Sequence, residues 1–286
     1  QLAFGLRVES RSTDYSDSAG LRLDPGETMV GGEITYRHTF DDGLVSYLSL
    51  SRGYKAGGFN LGLVPGGRRE FEQESLWSFE AGIKGQMLED SLRFSGAVFY
   101  SVRQDQQVRT SAQLSPNDPA SFVFFTDNAA EGRTSGLEAE LRWLPADAWE
   151  FYANLGLLNA EFEDFAGPGG DLSSRDQAHA PNYTLAVGGT YRHSEGFFAR
   201  LDLSSRDEFY FDISHNQKSD RYSLANARVG FERERWTVQL WARNLLDERY
   251  AVRGFFFGNE PPDFPDKLYV RHGDPRQFGL TFDMRF

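Results

Sequence analysis

The final stretch, RQFGLTFDMRF, sets Phe278, Leu280, Phe282, Met284 and Phe286 in alternation with Gly279, Thr281, Asp283 and Arg285. Period-two alternation is the pattern of a β-strand with one apolar and one polar face. It recurs along the whole chain. LAFGLRV places Leu2, Phe4, Leu6 and Val8 on one side, and LRFSGAVFY places Leu92, Phe94, Gly96, Val98 and Tyr100 there. LEAELRW gives Leu137, Ala139, Leu141 and Trp143, and WTVQLWA gives Trp236, Val238, Leu240 and Ala242. In LWSFEAGI the phase is held by Trp77, Phe79, Ala81 and Ile83, while Leu76 breaks it. The pattern predicts about twelve strands, at roughly 1–10, 28–40, 44–55, 74–86, 91–106, 131–143, 148–162, 181–193, 196–210, 221–233, 235–246 and 275–286.

Strands in soluble domains average about five or six residues, whereas a tilted membrane-crossing strand needs about 9–11, and many of these segments reach that length. Their polar faces carry charge, as at Glu80, Lys84, Glu138, Glu140, Arg142, Arg228 and Glu232. A soluble sandwich or lipocalin-like barrel would turn that face to bulk water, and each apolar face would then need a second sheet. A barrel with lipid outside and water inside satisfies every strand at once. The connections alternate between short (41–43, 88–90, 145–147, 194–195, 233–235) and long (11–27, 56–73, 107–130, 163–180, 211–220, 247–274). Outer-membrane barrels combine short periplasmic turns with long extracellular loops. The fold class is therefore all-β, an antiparallel up-and-down transmembrane β-barrel. Phe40, Trp143, Trp149, Phe197, Trp236 and Phe286 fall beside the short turns and are not scattered, which favours an interfacial aromatic girdle over the general β-propensity of aromatics.

Composition narrows the function. The net charge of −12 argues against nucleic acid as a partner, because phosphates demand a basic face. With no cysteine, neither a disulfide framework nor a thiolate metal site is available. No apolar run reaches the ~18 residues of a membrane-spanning helix. The chain begins with Gln1 and shows no leader, which implies a removed signal peptide or a piece of something longer.

Five segments carry a family resemblance. SRGYKAGGFN (51–60) resembles a barrel strand running into an extracellular loop of TonB-dependent outer-membrane receptors. FEQESLWSFEAGIKG (71–85), with Glu80, Gly82 and Lys84, is similar to the strand that follows; NAAEGRTSGLEAEL (128–141), NLLDERY (244–250) and GDPRQFGLTFDMRF (273–286) resemble later segments in the same order. The resemblance is to the C-terminal barrel portion of a siderophore-receptor-like member. It implies that residues 1–286 form one partial domain of a 22-stranded barrel, and that the family's plug domain and TonB-docking segment are absent from this chain. It implies a receptor and not an enzyme, with no cofactor. The partners it implies are a small-molecule or metal-chelate ligand, outer-membrane lipid and lipopolysaccharide, the TonB energy-coupling complex acting through the missing plug, and the outer-membrane insertion machinery. Gln277, Gly279, Phe282 and the terminal Phe286 match that machinery's assembly signal. A ferric siderophore is the first expectation for the ligand; cobalamin, haem and oligosaccharides stay open, as do a self-contained 12-stranded passive porin, an adhesin and an outer-membrane enzyme.

The residues offer candidate contacts at the loop ends. Tyr54 and Phe59 suit a ligand or a lipid headgroup, and Arg52 and Lys55 suit phosphate, beside the bends that Gly53, Gly57 and Gly58 permit. The 247–274 connection concentrates Phe255, Phe256, Phe257, Phe264 and Tyr269 with Arg253, Lys267 and Arg271, a mix suited to stacking and cation–π capture of an aromatic or anionic iron chelate. Loop packing is the structural alternative for the same aromatics. Arg109 is a further candidate, with Arg103 beside it, and so is His215, which Asp212 and Asp220 flank without completing a metal-ligand set. None of the five histidines sits in a nucleophile motif. Deleting Phe286 is expected to lower assembly into the outer membrane at unchanged synthesis, read by pulse labelling and fractionation; unchanged assembly would remove the terminal strand as a signal.

Overall fold

A computed structural model describes the chain except for residues 19, 42, 63, 65–67, 116, 117, 119, 120, 129, 130, 168, 169, 214, 259 and 266, and the side chains of 110–113, 122, 166, 167, 170 and 257. Twelve long strands form one sheet: β1 (Leu2–Ser12), β2 (Gly26–Thr39), β3 (Val45–Lys55), β4 (Glu74–Met87), β5 (Leu92–Gln104), β6 (Glu131–Ala146), β7 (Trp149–Asp164), β8 (Tyr183–Arg192), β9 (Phe197–Arg206), β10 (Tyr222–Glu232), β11 (Trp236–Arg243) and β12 (Gln277–Met284). Each pairs antiparallel with its sequence neighbour, and β1 and β12 stand at the two ends of the order without pairing to each other. The wall is thus an open arc, and a closed 12-stranded barrel is not what these strands make.

The two faces follow the sequence alternation. Register places Phe94, Leu141 and Ala153 in one row across β5, β6 and β7. The apolar row is the exposed one, with Phe4 84%, Leu280 67% and Leu240 59% accessible. A folded chain leaves so continuous an apolar surface open only where lipid covers it. Near the tight turns Trp149 stacks on Phe151 at 5.5 Å and lies 4.8 Å from Tyr191, so the aromatic girdle is built as a cluster on the outer face.

The inner face is polar, and many of its groups pair with one another. Tyr47 donates to Glu80 at 2.6 Å, Tyr152 to Asp202 at 2.7 Å, and Arg200 Nε reaches the same Asp202 carboxylate at 2.8 Å. Arg142 and Arg192 grip Glu150 from both sides at 2.7 and 3.3 Å. Three of these inner rings lie flat across a glycine of the next strand: Tyr47 over Gly82, Tyr152 over Gly188 and Trp241 over Gly279, where a β-carbon would overlap the ring. Gly279 therefore has a packing role, seating an indole whose Nε1 donates to Thr281 at 3.1 Å.

Element boundaries differ from the sequence expectation at a few ends. The ninth strand stops at Arg206 and not at 210, because Phe209 and Phe211 turn into a buried loop cluster. The eleventh stops at Arg243, where Asn244 and Asp247 take left-handed φ values of 46° and 57°. The buried Asn244 amide then ties the loop, donating to Glu248 O at 2.8 Å and Asp274 O at 3.1 Å. Five of the long connections contain two-stranded sheets of their own, the longest being Gln107–Gln113 with Phe122–Asn128 and Ala251–Phe257 with Lys267–His272. Phe94→Arg or Leu141→Arg should cost about 2–4 kcal/mol of membrane stability, while Thr184→Arg on the inner face should be far milder. Equal losses in a refolding titration would refute the assigned faces.

Candidate functional site

The chemistry-bearing residues gather at the end of the wall opposite the tight turns, where the three long connections after β7, β9 and β11 pack on one another and on the hairpin after β5. Phe162 and Phe165 bury with Val108, and Leu172 and Ile213 close over them. Phe209 and Phe211 are 4% accessible, and the His179 ring packs against Phe209 at 5.2 Å. Arg175 ties two loops: Nη1 donates to Ile213 O and Nη2 to Asp212 O, both at 3.0 Å, and a further bond reaches His215 O. Its guanidinium also covers the Tyr210 ring at 4.1 Å. Asp212 holds the His215 backbone N–H at 2.8 Å and its Nδ1 at 3.0 Å. The His215 ring then stacks on Phe256 at 3.5 Å, joining the third loop to the other two.

That third loop is the hairpin Ala251–Phe257/Lys267–His272, and its ladder sorts the candidates by face. Gly254 and Phe256 point one way: Gly254 lies against Phe211, and Phe256 against His215. Arg253 pairs with Arg271 and Phe255 with Tyr269, so these four share the opposite face. Phe255 is 51% accessible, and its ring stacks on Tyr269 at 5.6 Å. Lys267 on this face is already engaged by Glu260, whose hydrogen bond raises the lysine pKa. The side chain of Phe257 lies outside the described residues.

The remaining candidates scatter. Tyr54 is tied to β1, donating to Glu9 at 3.0 Å with Arg7 over its ring at 5.8 Å. Lys55 ends β3 exposed, and Phe59 rests on Tyr15 at 4.8 Å. Arg109 covers the exposed Phe124 at 5.2 Å on the other hairpin. Phe264 is half-exposed in a left-handed conformation, its N–H donating to Glu260 O at 2.9 Å. Gln277 pairs with Arg243 within the ladder, whereas Phe282 and Phe286 face outward and exposed. Arg175 was missed by the sequence reading, since one arginine in a loop has no pattern to mark it. A recess of about 650 Å³ runs down the inner wall below Tyr250, from Arg206 and Tyr222 to Glu138 and Glu140. Among the described residues no cluster of three or more His, Asp or Glu side chains is placed to hold a metal ion.

Comparison with known proteins agrees with this geometry. The family described as "TonB dependent receptor-like, beta-barrel" matches residues 1–245. The pesticin receptor of Yersinia pestis is 23% identical over 262 residues, covering 88% of this chain and 37% of that protein. The solved ferric yersiniabactin uptake receptor FyuA from Yersinia pestis superposes with a TM-score of 0.75 at 20% identity, over 100% of this chain and 42% of that one. The siderophore receptor PiuA from Acinetobacter baumannii gives 0.74 at 17%, over 99% and 40%, and the copper transporter OprC gives 0.74 at 14%, over 100% and 45%. The chain thus spans less than half the length of these relatives.

Packing on Phe209 depresses the His179 pKa from its ordinary value near 6.5, chiefly through burial, with Arg253 and then Arg206 adding repulsion. A loop that opens returns the imidazole to the ordinary value, so the open form binds the proton more readily. The packing is complete above about pH 6.5 and weakens as pH falls through the depressed value. Because one side of the ring meets water, the loss is partial. Hydrogen exchange at Phe209–Phe211, corrected for intrinsic rates, should lose protection on acidification, and His179→Gln should remove that dependence. Identical protection at both pH values in the native chain would refute it.

Proposed function

The chain belongs to the TonB-dependent receptor family, as part of its β-barrel in the outer membrane, and on that premise we propose that it serves energised uptake of a scarce nutrient captured at its extracellular loops. A ferric siderophore is the ligand class we favour. The observation that carries this reading is the two-faced wall: apolar outward, polar and self-paired inward, and joined at one mouth to an interlocked loop cluster. A wall of this kind presents a wet passage beneath a shaped binding surface. The names of relatives, one a ferric yersiniabactin uptake receptor and another a siderophore receptor, support iron over the copper that a third carries.

The plug domain and the TonB-docking segment that coupling requires are placed, in this proposal, outside these residues, and the inner carboxylates and arginines face them. A self-contained passive porin is the weaker reading, because it needs β1 to pair with β12. Iron-starved cells lacking the receptor that contains this chain should lose uptake of radioactive iron from its chelate, and cells lacking TonB should lose it equally. Uptake that persists without TonB, together with steady ion conductance of the purified protein in planar bilayers, would replace the proposal with a passive pore.

A further inference from the structure

The exposed face of the hairpin Ala251–Phe257/Lys267–His272 carries an arrangement that packing does not explain. Arg253 and Arg271 are direct cross-strand partners. Side chains so placed have their β-carbons about 4.5–5.5 Å apart, and like charges there are destabilising. The usual remedy is a carboxylate between them. The sequence has 42 acidic residues against 30 Lys and Arg, so carboxylates are in surplus. Yet among the described residues neither arginine has an ion pair or a cation–π partner, and both side chains are exposed. The neighbouring cation, Lys267, does have its carboxylate, Glu260.

The next pair along the same face is Phe255 with Tyr269, stacked at 5.6 Å and open to solvent on the Phe255 side. Two planar guanidinium forks therefore sit beside a floor of two stacked rings. The opposite face is committed to the protein: Gly254 seats on Phe211 and Phe256 on His215, so the hairpin is held with this side outward. Guanidinium forks match the paired oxygens of oxyanions, and ring faces take a flat aromatic group.

We propose that Arg253, Arg271, Phe255 and Tyr269 form an anion-binding face that takes a ligand carrying two or more oxyanions on or beside an aromatic ring. A neutral sugar would leave both guanidiniums uncompensated. A cationic chelate would be repelled. The inference deepens the uptake reading, since it names the ligand chemistry, and it rests on that reading only in taking the hairpin to face the arriving ligand.

The test is direct binding to the full receptor containing this chain in outer-membrane vesicles. The probes are the iron(III) complex of 2,3-dihydroxybenzoate, an aromatic polyanion, and iron(III) desferrioxamine, which is cationic. The anionic probe should bind preferentially and weaken with salt. The Arg253→Gln/Arg271→Gln double variant should lose about tenfold or more in affinity and most of the salt dependence. Phe255→Ala should also weaken binding, while Arg235→Gln, exposed in the tight turn 233–235 at the other end of the wall, should not. Heat-modifiable mobility of each variant on gels confirms that the barrel has assembled. Equal affinity for both probes, or an assembled double variant that binds as the native receptor does, would overturn the proposal. Binding does not require TonB, so loss of transport with binding retained would count against the uptake reading and leave this one standing.

Discussion

The constraint on which the structure depends is that a backbone in hydrocarbon has no water to bond. Each N–H and C=O left unpaired there costs several kcal/mol by the usual order of magnitude, so a sheet can cross only if its ladder is continuous. Eleven consecutive antiparallel pairings, from β1–β2 to β11–β12, meet that requirement inside the arc. The two outer strands do not, each having one neighbour. Lipid would not tolerate those edges, so the arc is stable in a membrane only when other strands meet β1 and β12. The shared length with solved relatives, around two-fifths of each, is what a sector of a larger barrel would show.

Continuity of the ladder also governs the inner face. A wall curved into a barrel crowds the side chains that point inward. Here the crowding is relieved by setting a glycine under several of the large rings: Gly82 for Tyr47, Gly188 for Tyr152, Gly279 for Trp241. The rings lie flat, and their polar tips finish hydrogen bonds with Glu80, Asp202 and Thr281. Flat rings cover the glycine backbone and leave the lumen open. Strand glycines that look like defects in a β-pattern are in this fold part of a joint between neighbours.

The wall was legible in the sequence because lipid outside and water inside enforce a strict period of two, and all twelve strands fall within a few residues of their expected places. The loops were less legible, for the opposite reason. Above the membrane no solvent boundary imposes alternation, so the two hairpins within 107–130 and 247–274 read as connections. The ends at Arg206 and Arg243 depend on tertiary packing of Phe209 and Phe211 and on the Asn244 amide, neither of which has a local signature. Composition did identify the aromatic and basic character of 247–274. It did not separate Phe255 from Phe256, adjacent residues that the ladder sends to opposite faces.

That separation shows how the loop end is organised. One side of the hairpin is fixed by a chain of contacts running from Arg175 through the carbonyls of 212–215 to the His215 ring and Phe256. Three loops from different strand pairs are thereby held as one body, although long loops individually tend to be mobile. Rigidity on the packed side is what lets the other side keep two arginines opposite each other, since a free hairpin would relax away from that repulsion. A binding surface that holds its charge before the ligand arrives loses little to reorganisation when it binds. The residues that pack the loops and those that face outward are thus interleaved along the same strand, and the rigid half is a condition for the exposed half to be a site.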